Sequence, residues 1–327
     1  MKLLRCLAVV CVLSGTCKAA QLPEYYQIIN RVTWLSPNID AILPTWIALG
    51  MTDIHKYPHV KAVGSDHGEP ATIDTSQVTG RLGNLTINFL QPAQGPLNSY
   101  NIFLQKHKDG IFSVVHEVPT REAMEKEIQR MAALGVTVLQ QVTFDIDHTP
   151  VTFTYFDTEP QGKFVLGLVY WPGGALQPLQ QKTVSHIAPV VRDAPAVAAF
   201  WQKLGFPGFD LEHATPRDDS RYRGQPLSLA FEVGFQRLGP ISYEWIQPPS
   251  APPNVYEDFL QRHGEGIQHI GLPVDDLSKA TAAYEKLGFP VWQAGAWGDV
   301  GKHDSGQYHY MDTDKIGGVS IELIHAY

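Results

Sequence analysis

Cysteine is almost absent: the chain of 327 residues has three, Cys6, Cys11 and Cys17, all near its start. Once that segment is set aside, disulfides, thiolate nucleophiles and cysteine metal ligands are excluded together. Any metal must then be held by histidine and carboxylate. Basic clusters are missing too. The 25 Lys and Arg are scattered against 33 Asp and Glu, a formal net charge of −8, so a nucleic-acid partner, which needs a basic surface, is not expected. Long apolar runs are lacking as well, since Leu7 to Leu13 is too short to span a bilayer.

That first segment has the layout of a secretory signal peptide, residues 1–20. A basic start, Met1-Lys2-Leu3-Leu4-Arg5, precedes the apolar run, and Ala19 and Ala20 offer the cleavage site. The expected location is secreted or periplasmic, with no transmembrane anchor. A lipid anchor on Cys17 is less favoured, because Leu13-Ser14-Gly15-Thr16-Cys17 is one residue too long for lipobox spacing. Asn84-Leu85-Thr86 fits the glycosylation pattern but falls in an expected strand.

The remaining length suggests two domains, and an internal repeat divides it further. Four places share one grammar: a short apolar strand, an amphipathic helix, then Leu-Gly. The strands are Ile28 to Leu35, Ile111 to Val118, Val184 to Val191 and Ile267 to Val274. Helices are expected to start near Asn38, Thr120, Asp193 and Asp276, whose side chains can cap free amides. They should end at Gly50, Gly135, Gly205 and Gly288, where glycine can take the left-handed closing conformation. The second helix looks about one turn longer than the others. About three strands follow each helix, ending in Leu85–Phe89, Phe164–Val169, Ile241–Ile246 and Val319–Ile324. The expected fold class is α+β: four βαβββ modules arranged as two paired-module domains, 21–172 and 182–327. The Pro/Gly/Gln-rich stretch Trp171 to Gln181 forms the joint, and a helix leads into the fourth module.

Two histidines and two glutamates occupy repeat-equivalent places in the second half. His186 and His269 lie in the first strands of modules three and four, and Glu244 and Glu322 in their last strands. A carboxylate inside an apolar strand is costly to bury without a cation or hydrogen bonds, and two carboxylates meeting two imidazoles satisfy one another through one divalent metal. Positions 155 or 156 residues earlier carry Arg31, Asn88, Ser113 and Gly167. These form no useful ligand set, so the first domain is expected to be metal-free.

Gly264-Glu265-Gly266-Ile267-Gln268-His269-Ile270-Gly271-Leu272-Pro273-Val274-Asp275-Asp276, then Tyr308-His309-Tyr310-Met311-Asp312-Thr313, then the Glu322 strand, resembles the vicinal oxygen chelate superfamily. That superfamily includes glyoxalases, methylmalonyl-CoA epimerases, extradiol dioxygenases and antibiotic-resistance binding proteins, and the likeness runs, more faintly, through the first half. It implies glyoxalase-like domains in which two modules share a curved sheet. It also implies His186, Glu244, His269 and Glu322 as ligands, a set most like bacterial-type glyoxalases and near the epimerases. The dioxygenase pattern would use His186, His269 and Glu322 without a carboxylate at position 244.

The function expected from this is a metal-dependent lyase or isomerase that abstracts a proton beside a metal-chelated carbonyl of a small oxygen-rich substrate, with Glu244 and Glu322 as candidate bases. Zn, Ni, Co, Mn and Fe all suit such a site. The alternatives are an Fe(II) extradiol-type dioxygenase and a non-catalytic protein that sequesters a small molecule. Tyr308 and Tyr310 share a strand face and are candidate substrate contacts. His213, His263, His303 and His309 are expected at the surface or behind the ligands, and Trp171, Trp201 and Trp245 in packing. A monomer or homodimer suffices.

Overall fold

The computed structural model describes residues 22–173, 183–215 and 217–327. The expected leader with its cysteines, and most of the expected joint, lie outside them. The first half runs β1 (Arg31–Leu35), α1 (Ile39–Ala48), β2 (Thr52–Asp66), β3 (Glu69–Leu82), β4 (Leu85–Pro92), α2 (Ser99–His107), β5 (Gly110–Glu117), α3 (Arg121–Ala133), β6 (Val138–Ile146), β7 (Thr149–Phe156), α4 (Glu159–Gly162) and β8 (Val165–Tyr170). The second runs β9 (His186–Val190), α5 (Ala194–Lys203), β10 (Glu212–Ala214), β11 (Arg221–Tyr222), β12 (Gln225–Pro226), β13 (Phe231–Gln236), β14 (Ser242–Gln247), α6 (Val255–His263), β15 (Gly266–Pro273), α7 (Leu277–Lys286), β16 (Val291–Trp297), β17 (Gly306–Met311) and β18 (Ser320–Ala326). Among the described residues no helix is long and apolar enough to cross a membrane.

The four module helices start where their caps predict. Asn38, Thr120, Asp193 and Asp276 each accept a hydrogen bond from the amide three residues on. The second helix has 13 residues against 10 in the others, the expected extra turn. Helix α6 leads into the fourth module as expected. Its counterpart α2 was not read from the sequence, because its face is less clearly apolar.

Strand pairing confirms the repeat register. In the first half Thr33 pairs with Ser113, Arg31 with Thr86 and Val115 with Gly167. In the second, Ala188 pairs with His269, His186 with Ser242 and Gly271 with Glu322. Arg31, Asn88, Ser113 and Gly167 are therefore the true counterparts of His186, Glu244, His269 and Glu322.

The halves differ at one seam. In the first, β2 is long and pairs with both β3 and β6, which closes an eight-stranded barrel in the order β1-β4-β3-β2-β6-β7-β8-β5. In the second, the chain pairs as β10 with β13, then crosses to pair as β11 with β16. The result is an open ten-stranded sheet, β10-β13-β14-β9-β15-β18-β17-β16-β11-β12. Splitting the closing strand leaves a mouth into the concave side.

Apolar side chains sort by strand alternation. One large core joins the four module helices to the outer strand faces of both halves, with Trp34, Trp46, Trp201 and Trp245 fully buried. Separate clusters fill the first barrel and part of the second sheet. Contacts between the halves come in equivalent pairs. Trp46 Nε1 donates to the Ile316 carbonyl at 2.8 Å, and Trp201 Nε1 to the Gly162 carbonyl at 3.2 Å. His107, at the end of α2, and His263, at the end of α6, each bond through Nδ1 to the other's backbone carbonyl. Their Nε2 atoms are held by Glu159 at 2.8 Å and Asp314 at 2.9 Å. His263 is thus buried in a clasp between the halves, neither at the surface nor behind the ligands. Asn84 is also consumed here. It lies in the turn between β3 and β4 instead of a strand, and both its amide atoms bond the Val184 backbone, so it is not free to carry a sugar.

Burial works against a charge on Glu159, but hydrogen bonds from His107 and Lys106 outweigh it and lower the carboxyl to about 2. A depressed carboxylate contributes stability above its ordinary value and loses it as pH falls toward the folded one. His107→Ala leaves buried groups unsatisfied and is expected to cost about 1–3 kcal/mol at neutral pH. Denaturant titration should show that difference shrinking between about pH 4.5 and about pH 2; a constant difference would contradict the clasp.

Candidate metal centre

The strands β14, β9, β15 and β18 are neighbours in the middle of the second sheet, and each supplies one polar side chain to the concave face. His186 opens β9, His269 lies in β15, Glu244 in β14 and Glu322 in β18. The two His Nε2 atoms are 3.1 Å apart. Glu244 Oε2 lies 3.0 Å from His269 Nε2 and 3.2 Å from His186 Nε2. Glu322 Oε2 lies 2.9 Å from His186 Nε2 and 3.5 Å from His269 Nε2. Bonds of about 2.1 Å from a divalent first-row ion put neighbouring donors about 3.0 Å apart in an octahedron and about 3.4 Å apart in a tetrahedron. The observed spacings match that range, so the four donors fit one ion. Among the described residues this is the one group of three or more such side chains gathered closely enough to share a metal.

Supporting residues orient the ring donors. His269 Nδ1 bonds Gln268 Oε1 at 2.7 Å, which leaves Nε2 free as a lone pair for a metal. Neighbouring residues of a strand ordinarily face opposite ways, but at a bulge between Ile267 and His269 the Gln268 side chain meets the His269 ring. His186 Nδ1 lies 3.2 Å from Ser185 Oγ. Gly271, opposite His186, makes room for its ring: a Cβ there would sit 2.4 Å from His186 Nε2. Gln268, Ser185 and Gly271 were not singled out in the sequence, although Gln268 beside a ligand in an apolar strand was a usable signal.

The centre is electrostatically coupled. Burial opposes a charge on His269, yet hydrogen bonds to Glu244 and Glu322 raise its pKa to about 9. Burial likewise opposes ionised Glu322, but hydrogen bonds from His186 and His269 lower it to about 2. A proton on His269 therefore holds the carboxylates together where a cation would.

His186, Glu244 and Glu322 line a cavity of about 810 Å³, within the range of small-molecule sites. Its walls are largely apolar, with Leu227, Leu229, Phe231, Phe235 and Trp297 prominent, and Tyr308 and Tyr310 line it too. Tyr310 is buried against the His269 ring, its hydroxyl 3.1 Å from Tyr256. The pair has a counterpart in the first barrel, Tyr100 and Tyr155, which marks it as part of the fold. Tyr308 differs: its counterpart is Phe153, and opposite it Gly295 replaces Val142. A Cβ at Gly295 would meet the Tyr308 hydroxyl at 2.4 Å. Tyr308 with Gly295 is therefore peculiar to the second half, whereas Tyr310 belongs to a pair that both halves share.

Among the described residues the first barrel gathers no comparable group of His and carboxylate side chains. Arg31 lies beside the ring of Trp171, and Tyr155 bonds Thr33 at 3.0 Å across the interior. A Cβ at Gly167 would lie 2.6 Å from Ser113 Oγ, so even alanine crowds the place of Glu322. Of the other histidines, His303 is exposed, His309 bonds Thr281 at 2.8 Å, and His213 stands at the cavity rim bonded to Glu232 at 2.7 Å.

Gly271→Ala and Gln268→Ala are each expected to weaken metal binding by about 10–100-fold; unchanged affinity in a chelator competition would refute the supporting roles. Since metal must displace the His269 proton, apparent affinity should fall by about tenfold per pH unit below about pH 9. A flat profile between about pH 6 and about pH 8 would contradict that coupling.

The Glyoxalase/Bleomycin resistance protein/Dioxygenase superfamily profile matches the sequence twice, at residues 30–153 and 185–308, in register with the repeat. Among solved structures, the chain is similar to a mutant 4-hydroxymandelate synthase from Streptomyces coelicolor. The two are 15% identical with a TM-score of 0.62, over 91% of this chain and 92% of that one. It is also similar to BphC, a halotolerant catechol dioxygenase: 15% identity, TM-score 0.50, covering 93% of this chain and 88% of that one. At such identity these likenesses speak for the fold alone. No curated protein matches the sequence. With both halves matched in register and a two-His, two-Glu centre in the second, the chain belongs to the glyoxalase, bleomycin resistance protein and dioxygenase superfamily, also termed vicinal oxygen chelate.

Proposed function

We propose that this chain is an exported metal-dependent lyase or isomerase, moving a proton at the carbon beside a carbonyl of a small oxygen-rich substrate. The observation that carries this reading is the second carboxylate. Glu244 stands as close to both imidazoles as Glu322 does, so the donor set is two His and two Glu. When bound, a divalent ion supplies Lewis acidity to a carbonyl oxygen. The chain's own residues do the rest. One glutamate takes the proton from the adjacent carbon and returns it, while the imidazoles and the other glutamate hold their positions. The Tyr308 hydroxyl, on the cavity wall, orients the substrate.

The two-domain architecture shared with the synthase and catechol dioxygenase named above favours a second reading, an Fe(II) dioxygenase. There Glu244 would occupy a position that oxygen chemistry needs open. The third reading, a sequestering protein, requires stoichiometric binding without turnover.

The test is solvent deuterium incorporation into a panel of α-hydroxycarbonyl compounds by metal-loaded protein. Glu244→Gln or Glu322→Gln, whichever removes the base, should retain metal and lose exchange by about 10²-fold or more. Full exchange in both variants would refute the mechanism. Oxygen uptake with a catechol after anaerobic iron loading would favour the dioxygenase.

A further inference from the structure

The charges around the cavity restrict what can enter it. A divalent ion held by Glu244 and Glu322 carries no net charge, since the two carboxylates cancel it. The rim adds Glu212 and Asp275, and neither has an ion-pair partner among the described residues. The cationic side chain lining the cavity is Arg217, and it is already committed. Its Nε and Nη2 bond Asp219 at 3.0 and 3.2 Å, and its Nη1 bonds the Gly298 carbonyl at 2.9 Å. His213 is engaged by Glu232, and Arg237, not a lining residue, stacks on Phe235 at 5.2 Å. An anionic substrate would thus meet unpaired carboxylates at the entrance and a neutral centre at the base. The apolar walls between them give surface to a hydrocarbon body.

We propose that the cavity selects an uncharged, largely apolar substrate, an aromatic or alicyclic compound carrying its oxygens at one end and no carboxylate, phosphate or other anionic group. This deepens the metal-centred reading above and rests on it. It disfavours thioesters of CoA and adducts of glutathione, whose anionic carriers would meet Glu212 and Asp275 at the rim, while Arg217, the cation lining the cavity, is held by Asp219 and the Gly298 carbonyl.

The test compares two isosteric probes on zinc-loaded full-length protein by calorimetry at low ionic strength: a catechol bearing a carboxamide and the same catechol bearing a carboxylate. The carboxamide is expected to bind at least about tenfold tighter. In the Glu212→Gln/Asp275→Asn double variant the two should approach parity. Equal or tighter binding of the carboxylate by the unaltered protein overturns the proposal, as does a gap that the double variant leaves unchanged. Repeating the titration without metal separates the two readings. Carboxamide affinity that is unchanged there refutes the metal-centred function and, with the preference kept, upholds the charge selection, whereas loss of binding by both probes supports both.

Discussion

Two carboxylates and two imidazoles buried within hydrogen-bonding distance of one another set the terms for this molecule. Desolvation penalises each charge, and two ionised glutamates converging on the same imidazoles repel unless a cation lies among them. The raised His269 and lowered Glu322 show how strongly the cluster wants positive charge. Everything nearby serves that demand. Central strands in the order β14-β9-β15-β18 bring one candidate donor each, Gln268 at the bulge holds one imidazole, and the bare backbone at Gly271 makes room for the other.

The duplicated chain carries its own control. Two halves of one topology differ where the centre needs them to: Gln268 for Phe112, Gly271 for Val115, Gly295 and Tyr308 for Val142 and Phe153. They agree where the fold needs them to, as in the paired tyrosines and the matched tryptophan and histidine contacts between halves. The first barrel, closed along β2 and filled by aromatic rings, buttresses the second through a common core. The second splits the same strand, and the opening becomes a cavity lined by three of the four donors, His186, Glu244 and Glu322, with His269 buried beside them.

The gathering of His186, Glu244, His269 and Glu322 was legible in the sequence because polar residues in apolar strands recur at a fixed spacing. That spacing survives in the strand register to the residue, and the helix starts followed from their caps. Other features were hidden for physical reasons. Gln268 defies the alternation that a pattern reader assumes, because the bulge is a backbone event. The clasp of His107 and His263 joins residues 156 apart, so no local pattern announces it. The broken seam at β10 to β12 consists of strands of two or three residues, too short to leave a periodic signal. Tyr310 and Tyr308 looked alike on one strand face; only their counterparts in the other barrel tell them apart.

The most direct test of the central claim is elemental analysis of protein purified without added metal or chelator, alongside a His269→Ala variant. One equivalent of a divalent transition metal per chain, lost in the variant, is the result expected of a single centre in the second half. Two equivalents, or one that persists without His269, would contradict it.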